Sequence, residues 1–306
     1  MKICAVVVTY NRKHMLERCL RTILEGVLVP EQILVVDNAS TDGTAEFVQS
    51  TFVKGVSVQK LPQNRGGAGG FKAGVSEALR LGYECFWLMD DDHEVEKNTL
   101  KVMMDMMAAQ ASDVVGPVIL SSARDGSLSW EIGPGRSKYQ DYESMNRDWG
   151  NIGWFKKIPD AFNAALYRRS VFERLGLPDD RLFIRGDEVE FALRMEKHGT
   201  NAVVATGARV FHPAAAADKW PVISLGRMKL TAYYTGNRLK DYCIFRNRAF
   251  YYKKYGRYKS LLLDPPRYIL FFLLTRRFDL GGLRLWLRGY TDGLLGHFGY
   301  ERQLIT

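Results

Sequence analysis

The sequence predicts an α/β protein with a doubly wound, mostly parallel sheet flanked by helices, followed by a basic helical C-terminal region. Two observations predict the sheet. Short apolar β-branched runs alternate with amphipathic segments through the first 90 residues. Each run also ends in a polar or glycine-rich cluster, as expected where a parallel sheet presents its carboxyl ends to a ligand. A change of texture near residue 215 predicts the appended region.

The elements follow in order. Residues 3–9, ICAVVVT, have the unbroken apolar character of a strand buried on both faces. Residues 12–26 place Met15, Leu16, Cys19, Leu20, Ile23 and Leu24 three and four apart, a helical spacing that Gly26 can end. ILVVD at 33–37 is a second strand, NASTDG at 38–43 a turn, and 44–50 a helix. VSVQKL at 56–61 is a third strand. NRGGAGG at 64–70 reads as a glycine-rich turn that lets backbone approach a ligand, with a helix running on to Leu81. CFWLMD at 85–90 is a fourth strand that runs into Asp91 and Asp92.

Composition narrows the class. The 306 residues are 46% hydrophobic and 25% charged, which fits a folded protein and excludes a disordered one. Cys4, Cys19, Cys85 and Cys243 are scattered, so neither a disulfide framework nor a cysteine-built zinc site is expected, and a reducing compartment fits. The opening MKICAVVVTY carries one lysine and passes straight into a strand, so it is not expected to act as a secretory signal. The formal charge is +9, and from Lys219 onward there are 17 Lys and Arg against 5 Asp and Glu. Such a tail suggests an anionic partner. Its apolar stretch at 269–274 is far short of the roughly 20 residues of a spanning helix, so a basic, aromatic-rich amphipathic helix on a membrane surface is the expected form. No nucleic-acid motif occurs in the tail, and acidic clusters would repel a phosphate backbone.

Asp90, Asp91 and Asp92 gain nothing from folding together, and a divalent cation would relieve their repulsion. In an extended segment Asp90 and Asp92 should point the same way and share one ion. The structural alternative is an acidic turn or a cap before a helix over 95–107. Asp37, ending the second strand, can accept from a ribose hydroxyl or a base N–H, or can simply form a turn. Asp187, Glu188 and Glu190 follow Gly186 at an expected helix start, where acids favour the dipole but where a general base could also stand. His212 ends an apolar segment, AVVATGARVF, and could be a third metal ligand.

AVVVTYNR, VVDNASTDGT, NRGGAGGF, WLMDDD and FIRGDEVEFALR together resemble the inverting GT-A-fold glycosyltransferases of family 2, over about residues 3–213. NRGGAGGF, the three aspartates, FIRGDEVE and the later YCIFRNRAF and LLTRRFDLGGL are most similar to bacterial UDP-galactofuranosyltransferases of the mycobacterial galactan-initiating type. The resemblance implies that Thr9, Tyr10, Asn11, Arg12, Asp37, Asn38, Arg65, Gly66 and Asp90 bind the nucleotide sugar. It implies that Asp90, Asp92 and His212 hold Mn2+ or Mg2+, that Asp91 lies near the donor sugar, and that Glu188 or Asp187 is the base. Trp154 and Asn163 would line the acceptor or sugar pocket.

The implied reaction is transfer of galactofuranose from UDP-galactofuranose to a lipid-linked or polysaccharide acceptor in cell-wall or O-antigen-type glycan synthesis. The implied location is cytoplasmic, peripheral on the inner face of the cell membrane. Residues 1–215 would form the nucleotide-sugar-binding and catalytic domain, and 216–306 the region for acceptor and membrane. A rhamnosyltransferase or another hexosyltransferase uses the same plan, and a non-catalytic sugar-nucleotide or nucleic-acid-binding protein is the remoter alternative. An oligomer is compatible with all of these.

Overall fold

The computed structural model describes residues 1–135, 137–213, 218–225 and 228–304. The chain forms two compact units, Met1–Asp179 with Phe191–Ala215, and Asp180–Glu190 with Ala216–Thr306. The domain boundary expected at residue 215 lies outside the described residues.

The first unit begins with β1 (Ile3–Thr9), α1 (Lys13–Leu24), β2 (Gln32–Asp37), α2 (Thr44–Thr51), β3 (Val56–Lys60), α3 (Gly66–Arg80) and β4 (Cys85–Asp90). It continues through β5 (Glu94–Val95), α4 (Thr99–Ala109), β6 (Val114–Ser121), β7 (Ser127–Ile132), β8 (Tyr139–Asp141), α5 (Tyr142–Trp149) and β9 (Trp154–Lys156). β10 (Ala165–Arg168), α6 (Arg169–Leu175), α7 (Asp187–Lys197) and β11 (Ala202–His212) follow, with the first turn of α7 grouped in the second unit.

The main path of the 11-stranded sheet runs β3-β2-β1-β4-β10-β6-β11-β5. β3, β2, β1 and β4 are mutually parallel, as are β6 and β11. β10 is antiparallel to both its neighbours, so the sheet is mixed but mostly parallel in its first half. Thr9 lies opposite Asp37, and Val8 opposite Asp90, so three strands end at one rim.

β1 shows why its sequence is apolar throughout. Ala5 and Val7 face one core with Leu16, Leu20 and Ile23 of α1, while Cys4, Val6 and Val8 face another with Phe71, Val75 and Ala78 of α3. Each fully buried Val or Leu contributes roughly 1.5–3 kcal/mol relative to exposure. All four cysteines are free and buried.

The glycine-rich segment corrects the sequence reading. Gly66 to Gly70 are not a loop but the first turns of α3. A Cβ on Gly70 would stand 2.5 Å from Val8 Cγ1, and one on Gly74 would meet Val6 and come within 2.9 Å of Val36 Cγ2. These glycines let the helix lie close on the sheet. Only Gly66, with φ +68°, needs a left-handed backbone here.

In the second unit a hairpin, β12 (Lys219–Leu225) and β13 (Met228–Tyr233), precedes α8 (Arg238–Lys254), α9 (Tyr258–Leu270), a π turn at Phe271–Thr275 and α10 (Leu280–Leu295). α8 is rich in Arg, Lys and Tyr, yet most of its middle lies in the interior. Tyr242 through Ala249 are all buried, and Arg246 and Arg248 pair internally with Glu301 and Asp264. Arg248 Nη2 stands 2.9 Å from Asp264 Oδ1, and α10 reaches α8 closely because Gly289 and Gly293 face it. Two of the basic tail's arginines are therefore structural charges. Among the described residues no helix is long and apolar enough to cross a membrane.

Candidate active site

The rim formed by β1, β2 and β4 gathers most of the sequence-predicted residues. β1 ends at Thr9, whose hydroxyl donates to Asp91 Oδ2 at 2.7 Å. Arg12 Nη1 reaches Asp91 Oδ1 at 3.2 Å and Asp92 Oδ2 at 3.1 Å. Burial raises the Asp91 pKa to about 6, with the Thr9 hydroxyl and Arg12 charge opposing the rise. Burial works against the Arg12 guanidinium, but Asp91 and Asp92 outweigh it and lift its pKa.

Asn11, at φ +53°, joins the loops after β1 and β2: its N–H donates to Ser40 Oγ at 2.9 Å, and its Oδ1 accepts from Thr41 N at 2.8 Å. Tyr10 beside it is exposed. Asp37 is fully buried; its Oδ1 accepts from Ser40 N at 2.8 Å, while Oδ2 has no partner among the described residues. Asn38 bridges to the start of α3, donating to Gly66 O at 2.8 Å and accepting from Arg65 N at 2.8 Å. An acceptor at Asp37 and a neighbouring backbone crook are thus fixed without a ligand.

The three aspartates do not act as an alternating pair. β4 stops at Asp90 and a turn carries Asp91 and Asp92, so the period-two argument that put Asp90 and Asp92 on one side fails. Arg12 touches both Asp91 and Asp92, but Asp91 meets Thr9 whereas Asp92 faces two histidines. Asp92 Oδ1 lies 3.4 Å from His212 Nε2 and 3.5 Å from His93 Nδ1, and has no hydrogen-bond partner among the described residues. One ligand atom from each of Asp92, His93 and His212 falls within 4.8 Å of the others. This set can hold a cation; Asp90 is not part of it. β11 delivers His212 through its pairing with β6, which resumes after a register shift between Val204 and Arg209 and places His212 opposite Ser121.

His93 escaped the sequence reading. It follows the aspartates directly, and its burial could not be read from so polar a neighbourhood. It is completely buried, and burial, then the charge of His212, lowers its pKa to about 4, although Asp92 and Asn163 pull upward. Asn163 is thus close to this cluster. Trp154, in β9 opposite Ala205 of β11, is half-buried against the core.

Asp187 and Glu188 open α7 within the second unit. Glu188 Oε2 accepts from Gly186 N at 2.9 Å, which is a local cap, and Asp187 is buried. Sequence reasoning also missed Asn247. Its side-chain amide donates to the carbonyls of Leu182, Ile184 and Arg185 at 2.9, 3.1 and 2.7 Å, holding the segment that leads into these acids. Glu190, in the same turn, is taken by Lys254 and Tyr255 at 2.7 and 2.6 Å.

Comparison with known proteins places this arrangement. The family model for Glycosyl transferase family 2 matches residues 4–176. The chain is 30% identical to galactofuranosyltransferase GlfT1 of Mycolicibacterium smegmatis over 94% of each chain. It is 31% identical to the protein of the same name from Mycobacterium tuberculosis over 96% of each. Among solved structures, S. aureus TarS 1–349 aligns with a TM-score of 0.55 at 15% identity, over 99% of this chain and 92% of that one. GalNAc-T7 with UDP, GalNAc and Mn2+ aligns with a TM-score of 0.53 at 16% identity, over 69% and 43%. The chain is a glycosyltransferase of GT-A-like fold and belongs to glycosyl transferase family 2.

Proposed function

We propose that the chain transfers galactofuranose from UDP-galactofuranose to a glycan acceptor borne on lipid or polysaccharide, with inversion at the anomeric carbon and with Mn2+ or Mg2+ bound. The observation that carries the metal-dependent reading is the 3.4 Å approach of Asp92 Oδ1 to His212 Nε2 at the carboxyl rim of the parallel strands. The donor sugar follows from the likeness to the GlfT1 relatives, which spans nearly the whole chain.

Residues 1–215 serve as the nucleotide-sugar and catalytic part, and 216–306 as the part for acceptor and membrane. Asp37, with a buried oxygen lacking a partner, accepts from the uridine or its ribose. Thr9, Tyr10, Asn11, Arg12, Asn38, Arg65 and Gly66 shape the surrounding nucleotide cradle, with Asp90 at its edge. Arg12 brings positive charge toward the diphosphate. Asp91, held by Thr9 and Arg12, borders the donor sugar, and Trp154 and Asn163 line the sugar or acceptor pocket. Asp92 and His212 would hold the cation, which when bound would supply positive charge against the negative charge developing on the departing diphosphate. Glu188, with Asp187 the alternative, takes the proton of the acceptor hydroxyl. The hydroxyl oxygen bonds to the anomeric carbon from the opposite face, and the carbon–oxygen bond to UDP breaks with its electron pair leaving on UDP.

Membrane contact is supported by apolar side chains left in solvent on α9, the π turn and the segment that leads into α10. Leu262, Leu263, Leu274 and Phe278 are exposed by 73, 52, 61 and 69%, with Arg276 and Arg277 exposed between them. Such a mixture of apolar and cationic groups suits an anionic lipid surface.

Incubation with a panel of nucleotide sugars and lipid-linked acceptors, read by mass spectrometry and NMR of the product, tests the assignment. UDP-galactofuranose should be the preferred donor and the new linkage inverted. Preference for UDP-glucose or dTDP-rhamnose would overturn the donor, and a retained configuration would overturn the mechanism.

A further inference from the structure

His93 has the signature of a ligand rather than of a satisfied core residue. It is completely buried, yet among the described residues its Nε2 makes no hydrogen bond of good geometry, the Asn163 side chain being the polar group nearby, whereas buried polar groups are ordinarily paired. Its Nδ1 lies 3.1 Å from the carbonyl of Asp90, which can only accept, so the proton sits on Nδ1 and the Nε2 lone pair is free. His212 repeats the pattern: Nδ1 donates to the carbonyl of Pro213 at 2.6 Å. Metal-binding histidines are commonly oriented by donating their other N–H to a carbonyl in this way. With both tautomers so fixed, the His212 Nε2 lone pair faces Asp92 Oδ1 at 3.4 Å, two acceptors with no hydrogen between them. The two rings are 4.8 Å apart and tilted by 48°, not parallel-stacked. A positive charge makes this grouping favourable, whether carried by a bound cation or by a second proton on His212.

We propose that His93 is a third protein ligand of the divalent cation, so that the site offers one carboxylate and two imidazoles and selects Mn2+ over Mg2+. Imidazole suits the transition metal, while Mg2+ favours oxygen and dehydrates reluctantly. The inference rests on the metal-dependent reading above and sharpens it. The competing partner for His93 is the side chain of Asn163.

The test uses the full chain with UDP, titrated with MnCl2 or MgCl2, for the natural protein, His93→Gln and Asn163→Ala. Nitrogen couplings in the Mn2+ paramagnetic resonance spectrum are recorded alongside, and melting in EDTA checks each variant's fold. The natural protein should bind Mn2+ more tightly than Mg2+ and show two coupled imidazole nitrogens. His93→Gln should lose at least roughly tenfold in Mn2+ affinity, the lower end of the loss seen for outer partners alone. It should lose much less for Mg2+, and should show one nitrogen. Unchanged Mn2+ affinity in His93→Gln overturns the inference. So does a single coupled nitrogen in the natural protein, a readout that does not depend on any variant folding. Absence of any Mn2+ or Mg2+ binding by the natural protein would instead sink the metal-dependent reading itself.

Discussion

The side-chain amide of Asn247 donates to the carbonyl of Arg185 across 2.7 Å, and so ties the middle of α8 to the segment that introduces Asp187 and Glu188. The tie matters because that segment is strained: Phe183 and Arg185 have φ of +65° and +61°, while Gly186 takes φ +103° at no steric cost. Replacing Asn247 with Ala leaves buried carbonyls unpaired, at about 1–3 kcal/mol of stability. If Glu188 or Asp187 is the base, turnover should fall roughly 10- to 100-fold while the donor Kd stays near its natural value. Urea denaturation and steady-state kinetics measure both; unchanged turnover in a destabilised variant would separate Asn247 from the chemistry.

At the opposite function of polar contacts stands Thr9, whose hydroxyl secures the buried Asp91. Thr9→Val keeps the shape and removes the donor, and should destabilise by about 1–3 kcal/mol. Thr9→Ser, which restores a hydroxyl, should recover most of the loss. Equal stability of the two variants in denaturant titration would show that the bond contributes nothing.

Close packing of α3 on the sheet gives a third expectation. Gly74→Ala forces a methyl group against Val6 and Val36, and overpacking of this kind costs about 1–3 kcal/mol. Gly82, which has φ +80° and open space around its Cβ position, is a useful contrast, since there only backbone strain is at stake. A thermal shift for Gly74→Ala no larger than experimental error would mean that the helix does not need the glycine.

The exposed leucines of α9 test the membrane reading. Leu262→Glu combined with Leu263→Glu should abolish flotation with vesicles containing anionic lipid, while leaving the far-ultraviolet circular dichroism intact. Flotation equal to that of the natural chain would remove these residues from any lipid contact.

Much of the first unit was legible because its strands are buried on both faces, which writes an apolar run, β-branched in β1 and β2 and large-chained in β4, into the sequence. The approach of Asp92 to His212 was legible for the same reason: both residues stand at or just beyond the ends of such runs. The glycines of α3 were misread because a glycine's purpose is set by what packs against it, here Val6, Val8 and Val36, which are distant in sequence. Period-two reasoning overreached beyond Asp90, where the strand ends and a turn carries Asp91 and Asp92. The burial of α8 was not legible, because Arg246 and Arg248 look like surface charges until their partners are known. Those partners, Glu301 and Asp264, lie 55 and 16 residues further along the chain.

The account depends most on a cation at Asp92 gripping the nucleotide. Isothermal titration of UDP into the full chain, with Mn2+ and then with EDTA, measures this directly. Mn2+ should tighten UDP binding at least roughly tenfold, about 1.4 kcal/mol, and Asp92→Ala should erase the gain. UDP affinity that is the same in Mn2+ and in EDTA would contradict it.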